Sequence, residues 1–399
     1  MRIEPFRMER LQSTYENYVD YNLSESGVRP MRVRELLRES GAEEPFLSTE
    51  LGYIQSNGSE ELRDRIAAFY PGASRDNVLV TNGGSEANYA TFWSLLERGD
   101  RVAFMLPNYL QTWGLSRAFA SAVAPFRLVP RRSGGVARWA LDVEGLRRAV
   151  TKRTRVIQVT NPNNPTGGIL TETEMDEIVR SARRSGAFLV ADEIYRGAEV
   201  SGTTTPSFWG RHDRVLITSG LSKAFGLPGL RIGWVIAPKA VVRRLWSYRD
   251  YTTIAPGALS DHLARIALEP ARREAIFART RGIIGANLPV LESWMRARRD
   301  VFSYVTPLAG AILFARYDLP IGSVALAEAL RVGQSVLVVP GDQLGTPRHL
   351  RFGFGSDSAY LSRGLARIDP TLAGLRPQGR RARGGSPASR RRAARSASS

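Results

Sequence analysis

Short apolar runs recur along the first two thirds of the chain. NVLVTN (77–82), RVAFM (101–105), RVIQVT (155–160), AFLVAD (187–192), RVLITS (214–219) and RIGWVI (231–236) are rich in valine and isoleucine and read as strands. Segments with helical spacing lie between them: EELRDRIAAFY (60–70), EANYATFWSLLERG (86–99, closed by its glycine), LDVEGLRRAV (141–150) and ETEMDEIVRSARRSG (172–186). Strands alternating with helices predict an α/β fold whose large domain, 46–285, holds a mostly parallel sheet flanked by helices. The helical stretch 257–285 leads away from that sheet. The pattern changes over residues 286–372, where a helix is followed by a strand pair at FSYVTP and GAILFARYD, another helix, then VLVVP and HLRFGFG. That order predicts a smaller α+β domain, with residues 1–45 folding back onto it. There is no internal repeat.

Composition adjusts this picture in a few places. Hydrophobic content of 43% and charged content of 24% are those of a soluble globular protein. With no cysteine, disulfides and thiolate metal sites are excluded. His212, His262 and His349 are scattered without ligand spacing, so no metal is expected. The N-terminal MRIEPFRMERLQ lacks the apolar core of a signal peptide, and no run approaches the roughly 18 apolar residues of a membrane span. A cytoplasmic protein without a membrane partner is the expectation. The net charge of +18 is uneven: residues 376–399 hold eight arginines and no acid, which leaves +10 for the rest. Residues 373–399 are expected to be a disordered basic tail, because Gly, Pro, Ser and Arg bury too little to offset ordering. Such a tail could touch nucleic acid, but it has no aromatic to stack on bases, so a solvated extension is expected and nucleic acid is not an expected partner.

The chemistry lies where strands end, since open parallel sheets collect ligands at their carboxyl edges. SGLSKAFGLPGLRIGW (219–234) carries Lys223, one of only three lysines among 56 basic residues. Lysine, unlike arginine, becomes a nucleophile once neutral, so Lys223 reads either as a covalent catalyst or as a snorkelling turn residue. Arg231, eight residues on, suits a phosphate and would help keep Lys223 neutral. NVLVTN runs into Gly83-Gly84-Ser85 and a helix at Glu86, either an anion cradle or a helix capped by Ser85. RVIQVT runs into NPNNPTGG (161–168), a turn dense in amides. AFLVAD closes on Asp192, with Tyr195 three residues on; a buried acid needs a cationic ligand nitrogen or an arginine. Together these parts describe a pyridoxal phosphate site. Lys223 forms the Schiff base, Asp192 holds the ring nitrogen, Asn164 and Tyr195 hold the phenolic oxygen, and Gly84, Ser85 and Arg231 hold the phosphate.

NPNNPTGG, ADEIY and SKAFGLPGLRIGW, in that order, resemble the class I/II aminotransferases of pyridoxal phosphate fold type I over roughly residues 20–370. The resemblance implies four more roles. Tyr109 stacks on the cofactor ring, Tyr53 reaches the phosphate of a neighbouring subunit, Arg351 grips the substrate α-carboxylate, and Gly27 closes over the substrate. Many relatives carry a serine three residues before the lysine, where this chain has Gly220; the phosphate-serine role then falls to Ser85, with Ser222 a second candidate. The resemblance implies a homodimer that moves an amino group between an L-amino acid and a 2-oxo acid in ping-pong fashion. A lyase, or a cyclase like capreomycidine synthase, would use the same residues. An aminotransferase-like regulator would need a DNA-binding module, for which residues 1–45 are too short. For the substrate side chain, Tyr53, Tyr109, Trp113, Tyr248 and Tyr251 are candidates for an apolar pocket, with packing the commoner explanation of such a cluster, and Arg29 and Arg196 are each candidates for an acidic side chain.

Overall fold

The computed structural model describes residues 3–38 and 41–375. In chain order its strands are β1 (Tyr21–Asn22), β2 (Val78–Thr81), β3 (Arg101–Leu106), β4 (Ala122–Ser133), β5 (Val136–Leu141), β6 (Thr154–Thr160), β7 (Phe188–Asp192), β8 (Val215–Gly220), β9 (Gly233–Ile236), β10 (Phe302–Tyr304), β11 (Ile312–Tyr317), β12 (Val336–Leu337), β13 (Val339–Pro340) and β14 (His349–Gly353). Eight of them form one sheet in the order β2-β9-β8-β7-β6-β3-β4-β5. β8, β7, β6, β3 and β4 run parallel. β9 is antiparallel to both its neighbours, and β5 is antiparallel to β4. The architecture is the expected α/β one, with a mostly parallel sheet.

Both faces of the sheet are buried, which is why its strands read as continuous apolar runs. Val80, Met105, Ile157, Leu189 and Ile217 belong to the core on one face. Leu79, Phe104, Val156, Val190 and Leu216 belong to the core on the other. Burial of each such side chain contributes about 1.5–3 kcal/mol.

Local chemistry explains most element ends, and corrects two. Thr171 caps the helix Glu172–Ser185 through a reciprocal bond with Glu174, and Gly186 stops it in the left-handed conformation, φ 71°. The helix expected to start at Glu86 starts at Gly84, with Gly83 rather than Ser85 as its cap, and it ends at Leu95, short of Gly99. Arg231 does not open β9; it follows the turn Pro228–Leu230 in a left-handed conformation, φ 48°. The β4–β5 hairpin is not among the strands that the apolar runs predict. Its signal is the two-residue loop Gly134-Gly135, both at positive φ, which suits a tight hairpin between Ser133 and Val136. Arginines and prolines in β4 hide the strand beside it.

The helices Ala258–Leu268 and Pro270–Arg296 lead to a second sheet, antiparallel, in the order β10-β11-β14-β13. β1, in the N-terminal segment, pairs parallel with β12. The last helix, Ser358–Leu375, continues through residues 373–375. Residues 376–399, where the basic-tail expectation falls, lie outside the described residues. Among the described residues no helix is long and apolar enough to cross a membrane.

Candidate active site

A cavity of about 500 Å³ opens at the carboxyl ends of β2, β6, β7 and β8. Gly84, Ser85, Tyr109, Asn164, Asp192, Tyr195, Ser222, Lys223 and Arg231 all line it, so nine of the sequence candidates converge on one space.

The cradle is built by glycines. β2 turns at Gly83, φ 86°, into the helix Gly84–Leu95, whose first-turn amides have no partner within the helix. A side chain at Gly83 would collide with the Arg231 guanidinium, and one at Gly233 would collide with the Gly83 backbone. Glycine at both positions therefore lets Arg231 lie against the helix start. Gly220 has the same cause. A Cβ there would press on Ile232 O at 2.8 Å, so the close approach of β8 and β9 leaves no room for the serine of many relatives.

Asp192 ends β7 with no ion-pair partner among the described residues, which overturns the arginine-held alternative. Its Oδ1 accepts from Ile194 N at 3.1 Å and its Oδ2 from Asn88 Nδ2 at 3.4 Å. Burial pushes its pKa up to about 6. Tyr195 Oη is buried with no partner at hydrogen-bonding distance. Burial, against the pull of Lys223, holds its proton on more tightly than in a free phenol.

The amide-rich loop divides its work. Asn161 accepts from Leu170 N at 3.0 Å, and Asn163 donates to Pro107 O at 3.2 Å and accepts from Thr166 Oγ1 at 2.7 Å, so both tie the turn together. Asn164 alone faces the cavity, and its Oδ1 accepts from Arg351 Nη1 at 2.9 Å.

Lys223 differs from expectation. Its Nζ donates to Glu25 Oε1 at 2.9 Å. The same oxygen accepts from Ser26 N at 2.8 Å and Gly27 N at 2.7 Å. Lys223 holds Glu25 down at about 2, with the Gly27 backbone N–H helping, although burial opposes this. Burial works to lower the pKa of Lys223, but Glu25 and Tyr195 outweigh it and the net direction is upward. From sequence, Arg231 is expected to keep Lys223 neutral. A carboxylate 198 residues away in the chain reverses that.

Other candidates sit at or beyond the cavity's edge. A Cβ on Gly27 would crowd Glu25 Oε1 at 3.2 Å and Ser222 O at 3.3 Å and lie in ordinary contact with the Lys223 stem, so this glycine sits beside the lysine. Arg351 is fully buried behind Asn164; it also donates to Ser24 O at 2.5 Å, and its Nε has no partner. Tyr53 is 90% exposed, away from the cavity of its own chain. Of the substrate-pocket candidates only Tyr109 lines this cavity, and packing accounts for two of the other aromatics. Arg196 is spent on Thr205 O and Phe69 O, and Arg29 does not line the cavity. Trp113 packs on Phe104, Tyr248 packs on Trp93, and Tyr251 is exposed.

The structure adds residues that the motifs do not point to. Asn88 lies one turn after Ser85, at i+3 on the same helix, and also accepts from Thr218 Oγ1 at 2.7 Å. Glu9, Gln12 and Glu16 line the cavity from the helix Arg7–Tyr15 and its C-terminal cap. Their spacing of three and four is a legible helical stripe. Glu9 accepts from Tyr109 Oη at 2.8 Å, while the ring of Phe6 meets Tyr109 edge-on, centroids 4.8 Å apart.

Comparison with known proteins places this geometry. The sequence profile for aminotransferase class I and II matches residues 28–368. Capreomycidine synthase of Streptomyces vinaceus is 33% identical over 82% of this chain and 82% of its own length. An aspartate aminotransferase of Streptomyces avermitilis is 31% identical, covering 80% of this chain and 81% of that one. Among solved structures, a PLP-dependent aminotransferase from Streptococcus suis superposes with a TM-score of 0.86 at 30% identity, over 95% of this chain and all of the other. The PLP-dependent cyclase OrfR superposes with a TM-score of 0.84 at 27% identity, over 94% of this chain and 98% of the other.

Proposed function

Because the chain belongs to the class I and II aminotransferase family, whose cofactor is pyridoxal phosphate, we propose that it moves an amino group between an α-amino acid and a 2-oxo acid at the Lys223 cavity. The observation that carries this reading is the convergence of Lys223, Asp192, Tyr195, Asn164, Ser85 and Arg231 on one space at the strand ends.

The cavity fits the cofactor. Asp192 is a half-buried acid with no cation beside it among the described residues, Tyr195 Oη is a buried hydroxyl without a partner among them, and Gly83 lets Arg231 lie against the helix start. In this reading Asp192 holds the ring nitrogen, Asn164 and Tyr195 hold the phenolic oxygen, and Gly84, Ser85, Ser222 and Arg231 hold the phosphate. Tyr109 flanks the ring. When bound, pyridoxal phosphate supplies an aldehyde that condenses with amines and a ring that takes up the electron pair of a bond broken at the substrate Cα.

The chain's own residues control which bond that is. Arg351 anchors the α-carboxylate through its planar fork, exchanging Ser24 O and Asn164 for the substrate, with Gly27 closing beside it. Fixing the carboxylate would decide which bond at Cα is oriented for cleavage. Lys223 Nζ, released from Glu25, takes the Cα proton and returns it one position away, as base and then acid. Asp192, charged above about pH 6, keeps a positive ring nitrogen in place at neutral pH.

Two wider features complete the proposal. The working unit is a homodimer in which the exposed Tyr53 reaches the partner's phosphate site. Residues 46–285 form the cofactor-binding unit and 286–372 a smaller unit on which 1–45 pack, a division supported by the β1–β12 pairing. The ring-closing reading draws support from the similarity to capreomycidine synthase and to OrfR.

Borohydride reduction of the cofactor-loaded protein, followed by peptide mapping, should place a cofactor-sized mass on Lys223. An amino acid donor should then bleach the cofactor band, and a 2-oxo acid should restore it. Label at another lysine sinks the site. Turnover that needs no 2-oxo acid favours the ring-closing or lyase reading.

A further inference from the structure

The side of the cavity formed by the N-terminal segment is acidic. Glu9, Glu16 and Glu25 all line it, and Glu25 keeps 48% of its side chain accessible there. They are close enough to act on one another: burial first, then Glu25 and Glu9, raise the pKa of Glu16. Glu25 is paired with Lys223, and Glu9 accepts the Tyr109 hydroxyl. The Glu16 carboxylate has neither a hydrogen bond nor an ion pair among the described residues. Two further observations mark the space as one that takes a ligand. Tyr195 Oη is buried, unpartnered and in the same cavity, and the volume of about 500 Å³ is that of a small-molecule pocket.

The charges decide what that ligand carries. In the function proposed above, on which this inference rests, Arg231 is taken by phosphate, Asp192 by the ring nitrogen and Arg351 by the substrate α-carboxylate. Lys223, joined to the cofactor, would no longer be a free ammonium, so Glu25 would lose that partner. Three carboxylates then face the substrate side chain with no positive partner. Half-buried carboxylates on one wall attract a cation that arrives with the ligand, and a side-chain carboxylate would meet like charge. Phe6 and Met8, on the same wall, offer an apolar surface to a methylene stem.

We infer that this site takes an α-amino acid with a cationic side chain, a guanidinium or an ammonium on an aliphatic stem, whose charged end is held by Glu16 and Glu25 beside Glu9. A guanidinium suits the pair best, because its planar fork matches carboxylate oxygens two at a time.

The test compares L-arginine with L-citrulline, nearly the same shape but neutral, and with L-glutamate. The cofactor-loaded enzyme is titrated with each, following cofactor absorbance, and ligand-induced thermal stabilisation is measured in parallel. Arginine should half-saturate at about tenfold lower concentration than citrulline, with glutamate weakest. In Glu16→Gln the arginine-to-citrulline ratio should fall towards one, and in Glu16→Arg glutamate should overtake arginine. Cofactor absorbance of the loaded variants controls for folding. Equal response to arginine and citrulline, or an undiminished preference in Glu16→Gln, overturns the inference. If neutral and acidic donors react as well as arginine, amino transfer stands and the charge inference falls. If arginine alone stabilises the enzyme yet no donor alters absorbance, the charge inference stands and amino transfer falls.

Discussion

Lys223 shows how far a single side chain's chemistry depends on residues distant in the chain. Its isolation among arginines is visible in the sequence, but its protonation is set by Glu25. Removing that carboxylate leaves burial, which disfavours the charged amine. In Glu25→Gln apoprotein, the pH at which Lys223 begins to react with an acylating reagent should therefore move down; an unchanged profile would show that Glu25 does not control it. Asp192 gives a second prediction with the opposite sign. Its folded pKa of about 6 lies above the ordinary 3.8 of an aspartate. Its charge therefore penalises the apoprotein fully above pH 6 and not at all below about 4. Asp192→Asn should stabilise the apoprotein at pH 8 by on the order of 1–3 kcal/mol in urea unfolding, with the gain vanishing near pH 4. The same variant should load the cofactor more weakly, since its ring nitrogen loses a counter-charge.

At the scale of elements, the cradle depends on backbones that touch. β9 passes so close to the β2 turn that Gly233 cannot carry a side chain without striking Gly83, and Gly220 is hemmed in by Ile232 and Gly233. Gly233→Ala should destabilise the fold by about 1–3 kcal/mol and lower cofactor affinity together, because the forced shift spreads to Gly83 and Arg231. Measured unfolding and cofactor titration that move independently would separate the two. The parallel strands are legible in the sequence because burial on both faces makes them continuous in valine, isoleucine and leucine. β4 and β5 are not, because they close the sheet's edge with arginines and prolines. The N-terminal helix is legible only as a segment that packs on the rest. Its polar stripe of Glu9, Gln12 and Glu16 has the spacing of a helix face, but spacing does not say that the face meets a cavity rather than water.

For the whole molecule, the exposed Leu47, Leu51, Tyr53, Tyr251 and Leu259 come from two segments that flank the large sheet. In the proposed dimer a second copy would cover apolar groups of this kind. The proposed dimer can be tested without a structure of it. Mixing Lys223→Ala chains with Tyr53→Ala chains should restore activity that neither has fully, because one site in each hybrid then holds Lys223 from one chain and Tyr53 from the other. No gain on mixing, with hybrids shown by mass, would keep Tyr53 out of the partner's site. The sequence by itself determined the strand order of the chemistry: which runs end in glycine, asparagine, acid or lysine, and hence the family and the cofactor. Those signals are local, written in apolar runs and turn residues within one or two turns of chain. Only the tertiary structure decided which charges meet. Glu25 reaches Lys223 across 198 residues and Arg351 reaches Asn164 across 187, and an acidic stripe from the first helix faces both sites of pairing. Electrostatic partners are chosen by distance in space, which no local pattern encodes, so the acidic wall of the cavity stayed hidden until the chain was folded.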